Sequence, residues 1–315
     1  MKKKGIIIAI ACVAAFASCS KMEGRIDKHR KMDNVVMTEN RYNDGALYYT
    51  TGTYISEKWN WDGKEMYRVD YYGDSPYSEN FFYDNRRRIV RTTVPAYDIS
   101  SEISYDGRNI DHIDVYEAEQ QLMRMDFVRG EKSINEIVCT YYKSVDDVAK
   151  LGAIVRGVPV VSTLGAEVVS AVAGNDVRMM AQKGSLSTKS GYTVRYALTW
   201  KDDNIVRVVR NDGAESTVIT LSYDDKNNPY SQLMGYRELD DALFGFGMLC
   251  ENNVTLMSMP YENHGVVDFK YSYEYEDDYP VKRTLNYTYN MLSSETWDSV
   301  SIRVEKIETM NYMKD

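Results

Sequence analysis

The chain is poor in the residues that carry redox, metal and nucleophilic chemistry. Its 315 residues include only 3 His and 4 Cys, and neither a Gly-x-Ser-x-Gly elbow nor an EF-hand spacing occurs. Lys and Arg number 38 against 47 Asp and Glu, for a net charge of −9. Nucleic-acid binding needs a basic face, so this balance argues against such a partner. The sequence therefore predicts a protein that is not an enzyme and has no cofactor and no metal site.

Long apolar runs are missing after residue 20, which excludes a spanning helix in the mature chain. The first residues differ: Met1 to Lys4 is basic, residues 5–17 are apolar, and Phe16-Ala17-Ser18-Cys19 resembles the lipobox of bacterial lipoproteins. We interpret 1–18 as a lipoprotein signal peptide and Cys19 as the residue that receives the acyl chains, palmitate among them. An ordinary signal peptide with an incidental cysteine is the alternative.

The predicted anchor at Cys19 places the protein at the outer membrane. Two or three acyl chains on one residue hold a protein stably at a bilayer, and the leaflet, surface or periplasmic, stays open. Residues 19–45 are rich in charged and amide side chains and show little apolar periodicity. They are predicted to form a flexible tether. The rest of the chain, 46–315, is predicted to be a single β domain.

A repeat of 22 residues runs through 46–142. Its copies begin at Trp61, Tyr83, Tyr105 and Phe127, and each aromatic is followed by turn residues such as Asp-Gly. Asp-Gly between two alternating runs is a hairpin signal, and two short strands with their turns fill one period. Tyrosines number 27 against 7 phenylalanines, which suits a half-buried sheet surface. The prediction is an all-β, antiparallel meander of hairpins that forms a strongly curved sheet or barrel.

Residues 143–190 break this pattern. Aromatics vanish from the segment, and small residues such as Ala, Val and Gly replace them. A sequence that resembles a capping box at 144–147 predicts a short helix, which Pro159 ends. We predict a short helical or loop insertion packed on the sheet, or a mobile flap. Alternating strands resume in the C-terminal half, 191–315.

Three ordered motifs within 192–285 carry a resemblance to a known family. They are a hairpin with Trp200 before its turn, a motif that runs from Tyr223 to the turn Asn228-Pro229-Tyr230, and a late hairpin motif that runs from Tyr273 to Tyr279-Pro280. They resemble a family of uncharacterised Bacteroidetes lipoproteins that share a domain of unknown function with a porin-like β fold. The resemblance implies a curved antiparallel sheet that closes toward a barrel, and it brings no catalytic residues.

The candidate ligand site is the pair Trp59 and Trp61. These rings share one face of a strand, near a hairpin tip, and such a pair can stack on a sugar. They are equally suited to the core. His112 and Asp114 also share a strand face, but a third metal ligand is missing nearby. Cys139 and Cys250 are interpreted as buried thiols, with a disulfide as the alternative.

Three functions are compatible with these features. The first is a non-catalytic, lipid-anchored envelope protein that binds a ligand or partner through its β-sheet surface. The second is a carbohydrate-binding or carbohydrate-active lipoprotein that uses Trp59 and Trp61. The third is a periplasmic carrier of an apolar ligand, with the Ala/Val-rich segment as a lid. The membrane is the expected partner through Cys19, and a glycan or an envelope protein is the further candidate.

Overall fold

The computed structural model describes residues 30–73, 76–131, 133–142, 192–211, 213, 216–232, 249–260, 266–292 and 299–314. These residues form seventeen β-strands and one short 3-10 helix, Pro95–Tyr97. The strands are β1 (Met32–Asn43), β2 (Ala46–Thr50), β3 (Tyr54–Asp62), β4 (Glu65–Tyr71), β5 (Tyr77–Tyr83), β6 (Ile89–Val94), β7 (Ile99–Asp106), β8 (Asn109–Glu117), β9 (Gln120–Arg129), β10 (Ile134–Tyr141), β11 (Tyr192–Lys201), β12 (Asn204–Asn211), β13 (Ser216–Asn227), β14 (Asn252–Pro260), β15 (Val266–Glu276), β16 (Tyr279–Leu292) and β17 (Ser299–Tyr312). Within these ranges no helix is long and apolar enough to cross a membrane.

The strands form one antiparallel sheet that closes on itself at β1. Consecutive strands pair from β3 through β17. β1 then pairs with β17 on one side and with β3 on the other, which makes a closed barrel of sixteen strands. β2 pairs with the remaining part of β1 and lies outside the ring. The predicted all-β class and the antiparallel meander that closes into a barrel are confirmed.

Side chains alternate between an apolar interior and a polar exterior. On β9, Met123, Met125 and Phe127 are buried, whereas Arg124 and Asp126 point outward and form an ion pair. This alternation follows from the period of two in a strand. One hydrophobic cluster in the interior includes residues from each of the sixteen ring strands. The core of the domain is therefore the inside of the barrel.

The two ends of the barrel are built differently. One end, which we call the terminal rim, holds the start of β1, the end of β17 and hairpin turns such as Asp62-Gly63 and Asp106-Gly107. Gly107 opens the two-residue loop between β7 and β8 with a φ of +59°, a conformation that glycine adopts at little cost. The other end, the opposite rim, holds the β1–β2 turn and the β4–β5 connection.

A ring of hydrogen bonds at the terminal rim explains the 22-residue repeat. Near the end of a strand, an aromatic side chain donates to a backbone carbonyl of one of the first three residues of the neighbouring strand. At this rim no loop joins these two strands. The donor–acceptor distances are 2.7 Å for Trp61–Met32, 2.6 Å for Tyr83–Met66, 2.5 Å for Tyr105–Ile89, 2.6 Å for Trp200–Ile134, 2.7 Å for Tyr223–Ile205, 2.8 Å for Tyr273–Val254 and 2.9 Å for Tyr312–Pro280. We call these contacts the rim hydrogen bonds.

The eighth junction of the rim uses a different donor. Phe127 stands at the repeat position but has no polar atom, and the Arg129 guanidinium donates to the Ile110 carbonyl oxygen instead, at 3.3 Å. Each copy of the repeat therefore provides one hairpin and one bond to its neighbour. The need for a donor at this position accounts for Tyr and Trp where Phe would pack equally well.

The predicted tether was wrong over part of its length. Residues 32–43 form β1, the strand that closes the barrel, and Met32, Val35 and Met37 are buried. The error arose because only a few apolar residues alternate there among amide and charged ones. The start of the tether, the signal peptide 1–18 and the insertion 143–190 lie outside the described residues.

Candidate functional site

A cluster of polar side chains lies among the apolar side chains inside the barrel. It consists of Glu57, Trp59, Tyr230, Arg283 and Glu308, each less than a tenth exposed. We call it the interior polar cluster. Because burying a charge is costly unless it is paired, charged side chains at inward positions are the feature of this barrel that most needs a physical explanation.

Three parts of the chain bring the cluster together. Glu57 and Trp59 are two residues apart on β3, and the Trp59 indole N–H donates to Glu57 Oε2 at 2.9 Å. Arg283 on β16 lies directly opposite Glu308 on β17, and the two form an ion pair. Tyr230 comes from the turn after β13, and its hydroxyl donates to Glu57 Oε1 at 3.5 Å.

The turn that delivers Tyr230 folds into the barrel. Residues 228–232 are all buried. The Asn228 side chain accepts a hydrogen bond from the Tyr230 backbone N–H at 2.9 Å and donates to the Cys250 carbonyl oxygen at 3.2 Å. Pro229 between them fixes φ and favours the turn. The Asn-Pro-aromatic motif of the sequence thus places an aromatic side chain against the Arg283 guanidinium, which lies 5.5 Å from the Tyr230 ring centroid.

Two groups of charges inside the barrel are paired. Burial lowers the pKa of Arg283, but the facing Glu308 carboxylate outweighs it, so the Arg283 pKa is raised. A second group lies along β1 and β17, where Glu39 accepts from Lys306 at 3.0 Å and from Arg41 at 2.7 Å. Burial opposes ionisation of Glu39, but these cations outweigh it and hold its pKa below the usual value. The charged forms of the Arg283 guanidinium and the Glu39 carboxylate are therefore favoured by the partners beside them.

The predicted pair of stacking rings forms, but not at the surface. Trp59 and Trp61 stack with centroids 6.3 Å apart and planes at 25°. Trp59 is only 3% exposed, with Tyr230 packed edge-on against it at 5.8 Å. Trp61 is half-buried and makes a rim hydrogen bond. The expectation that both rings offer a face to a sugar is corrected: β3 directs them into the barrel.

The other predicted candidates lie apart from the interior polar cluster. Cys139 and Cys250 are both free and buried, so the interpretation as buried thiols is confirmed. His112 faces outward, with Nδ1 2.7 Å from Asp111 and Nε2 3.5 Å from Asp114. In the described part of the chain, no three His, Cys, Asp or Glu side chains are grouped to hold a metal. Cys19 lies outside the described residues.

A groove of about 730 Å³ lies on the outer surface at the terminal rim. Its lining includes the cations Arg30 and Lys282 and the anions Glu274 and Glu276, which pair with each other at 3.0 Å (Arg30–Glu276) and 2.7 Å (Lys282–Glu274). The Arg30 guanidinium also lies over the Tyr312 ring at 4.7 Å. A charged lining of this kind suits a polar ligand and does not suit an apolar one.

Sequence reasoning missed Glu57, Tyr230, Arg283 and Glu308. The signal was present: Arg283 interrupts the inward apolar series Leu285, Tyr287 and Tyr289 on β16, and Glu308 does the same beside Met310 on β17. A charge at an inward position predicts a buried partner, because isolated charges are excluded from cores. The identity of that partner depends on the ring closure, which the sequence alone does not supply.

Comparison with known proteins finds a fold likeness and no family. No family model matches the chain, and no curated protein matches it. A solved porin-like protein from Bacteroides uniformis is similar over 92% of this chain and 100% of its own, at 8% identity and a TM-score of 0.47. A solved TcdB2–TccC3–Cdc42 structure is similar over 89% of this chain and 21% of its own, at 7% identity and a TM-score of 0.17.

These likenesses carry no argument about activity, and the barrel rests on its own strand pairings. The curved antiparallel sheet that closes toward a barrel, which the motifs implied, is the architecture observed. None of these matches shows that the chain belongs to the lipoprotein family.

Proposed function

We propose that the chain is a lipid-anchored protein of the outer membrane whose barrel stands outside the bilayer and binds a partner, without catalysis, through its outer surface. The observation that carries the proposal is the polarity of the sheet. On β15, Val267, Phe269 and Tyr271 are buried inside, while Asp268 and Lys270 alternate with them on the outside. A barrel that spans a bilayer has the reverse arrangement, with an apolar band about 25 Å tall on its outer face.

The outer surface is polar on neighbouring strands as well. Arg68 and Asp70 on β4 pair at 2.6 Å, and Arg195 on β11 pairs with Glu136 on β10 at 3.0 Å. Charges on a lipid-facing surface cost about 2–4 kcal/mol each at the bilayer midplane. A barrel of this surface therefore needs another means of attachment, and acylated Cys19 would supply it.

The alternative functions lose their main support. The carbohydrate hypothesis relied on Trp59 and Trp61 as exposed stacking rings, and Trp59 is buried. The carrier hypothesis needs an apolar void, whereas the interior side chains form one packed cluster and the groove at the terminal rim is charged. Binding at the outer surface, by an envelope protein or a polar glycan, is the function that these observations support best.

The anchor is tested by replacing its acceptor in the full-length chain. We expect Cys19→Ala to abolish incorporation of a palmitate analogue and, when residues 1–18 are also replaced by a signal peptide whose cleavage needs no acylated cysteine, to move the protein from the membrane fraction to the soluble periplasmic fraction. The matched control is Cys12→Ala, which removes a cysteine within the predicted signal peptide and leaves the acceptor intact. That variant should remain in the membrane fraction and stay labelled.

The opposite result would contradict the proposal. If Cys19→Ala, carried on the replaced and cleaved signal peptide, resists alkaline carbonate extraction as the wild type does, the barrel itself holds the protein at the membrane. Protease treatment of intact cells, read with an antibody against the C-terminal half, then assigns the leaflet. Cleavage places the barrel on the cell surface, and protection places it in the periplasm.

A further inference from the structure

An open strand edge lies at the opposite rim of the barrel. β2 pairs with β1 on one side, and among the described residues no residue-level pairing joins its other side to a strand, whereas each ring strand is paired on both sides. β3 follows β2 along the same side of β1. β4 and the residue after it pair with β3 only from Ser56 onward. The open edge therefore runs from Ala46 to Ile55.

The chemistry of this edge is unusual for a chain with 27% charged residues. Eleven consecutive residues, 46–56, carry no charge and include no proline. Leu47, Tyr48 and Tyr49 are 55%, 54% and 46% exposed, and Ile55 and Tyr72 beside them are 48% and 42% exposed. Natural edge strands usually carry charges or proline that prevent further pairing. The side chains of this edge lack those protections.

We propose that this edge pairs with the same edge of a second copy in a two-fold symmetric dimer. A strand related to its own copy by a two-fold axis is antiparallel to it, so the pairing is self-complementary. With Tyr48 at the axis, Leu47 of one copy faces Tyr49 of the other. Two copies of an acidic chain repel each other, and no residue from 46 to 56 adds a charge of its own to the contact; one charge beside it is the Arg41 guanidinium, which lies over the Tyr49 ring at 5.2 Å.

The contact closes at two copies and is weak. Each copy has one such edge in its described part, so pairing consumes it and does not propagate. Five strand residues span about 17 Å, which buries far less than the roughly 1,200 Å² of a stable interface. The register shift at Tyr48 also shortens the regular part of the edge. Dimerisation in dilute solution is therefore expected to be slight.

The proposed anchor is what makes the contact effective, and in this respect the inference rests on the proposed function. Acylated copies are confined to one membrane plane, and confinement raises their effective concentration without any new contact. This weak contact, which closes at two copies, then forms dimers in the membrane. The protein is monomeric once it is released from the membrane.

Cysteine crosslinking in intact cells tests the dimer on the full-length protein. Tyr48→Cys puts a thiol at the two-fold axis, and diamide oxidises two facing thiols to a disulfide. The control is Tyr67→Cys on β4, where the native tyrosine is 48% exposed and lies away from the edge. Cys139 and Cys250 are buried and give no background. We expect about tenfold more covalent dimer from Tyr48→Cys than from Tyr67→Cys.

Two further results decide the outcome. Adding Leu47→Lys to Tyr48→Cys should reduce the dimer severalfold, because charges block an edge, while maleimide labelling of the thiol stays unchanged. Equal crosslinking at both positions, or none at a Tyr48→Cys thiol that maleimide labels, overturns the dimer. If the wild-type chain proves not to be anchored, the same crosslinking on a concentrated purified sample tests the edge separately from the anchor.

Discussion

Arg283 and Glu308 face each other across β16 and β17 inside the barrel and form its most deeply buried ion pair among the described residues. Their side chains are 5% and 3% exposed. The guanidinium also lies over Tyr230, which belongs to the inward turn after β13. A buried pair adds little net stability, but either charge alone is costly. The pair therefore specifies how β17 and this turn fit together.

Removing one member of this pair should be more harmful than removing both. We expect Arg283→Met to lower the free energy of unfolding by about 3–5 kcal/mol, because Glu308 stays buried without its main counter-charge. Arg283→Met combined with Glu308→Leu should cost less than the sum of the two single variants. Urea unfolding of the four proteins measures this coupling. Arg195→Met, which breaks an exposed pair with Glu136, should cost about 0–1 kcal/mol. Additive losses at Arg283 and Glu308 would contradict the coupling.

Stability should fall as the pH is lowered through the acid range, in part because of Glu39. Lys306 and Arg41 outweigh burial and hold the Glu39 pKa below its usual value in the folded state. A group of this kind stabilises the fold above its unfolded pKa, about 4.3, and that contribution is lost as the pH drops through the folded pKa. Urea unfolding between pH 7 and pH 3 should show a shallower pH dependence for Glu39→Gln than for the wild type. If the two proteins show the same pH dependence, Glu39 does not contribute to the loss of stability in acid.

The hairpins, which depend on local sequence, were predicted from the 22-residue repeat. The aromatics at 22-residue spacing indicated hairpins, and the structure adds the reason: Tyr83 and Tyr105 are donors of rim hydrogen bonds. Trp200, Tyr223 and Tyr273, which lie in the motifs of the resemblance, make the same bond in the second half of the chain. One physical requirement thus produced two patterns that look unrelated in the sequence.

What escaped prediction depends on contacts between distant residues. The closing strand β1 pairs with β17, more than 250 residues away, and its short apolar alternation gives no local sign of that partner. The prediction that Trp59 is an exposed stacking ring used only the alternation of side chains along its strand. Which side of the sheet becomes the interior is decided only when the ring closes. Ring closure likewise sets Arg283 opposite Glu308.

The thiols of Cys139 and Cys250 should be unreactive in the folded protein. Burial raises the pKa of Cys139 to about 12 and that of Cys250 to about 11, and the thiolate is the reactive form. A disulfide-exchange reagent at pH 8 should label neither residue in the native state and both after unfolding in urea without reductant. Failure to label the unfolded protein would indicate a disulfide between them, and rapid native labelling would indicate an exposed thiol.

The rim hydrogen bonds should contribute separately and about equally to stability. Tyr105→Phe removes the hydroxyl that donates to the Ile89 carbonyl oxygen and keeps the ring in place, and Tyr83→Phe does the same at Met66. We expect each to lower the free energy of unfolding by about 1 kcal/mol. The double variant should lose about the sum, because the two bonds share no partner. Tyr67→Phe is the matched control: that ring is exposed on β4, so its hydroxyl stays solvated in both states and its removal should be nearly neutral. A control as destabilised as the rim variants would show that the loss does not come from the rim.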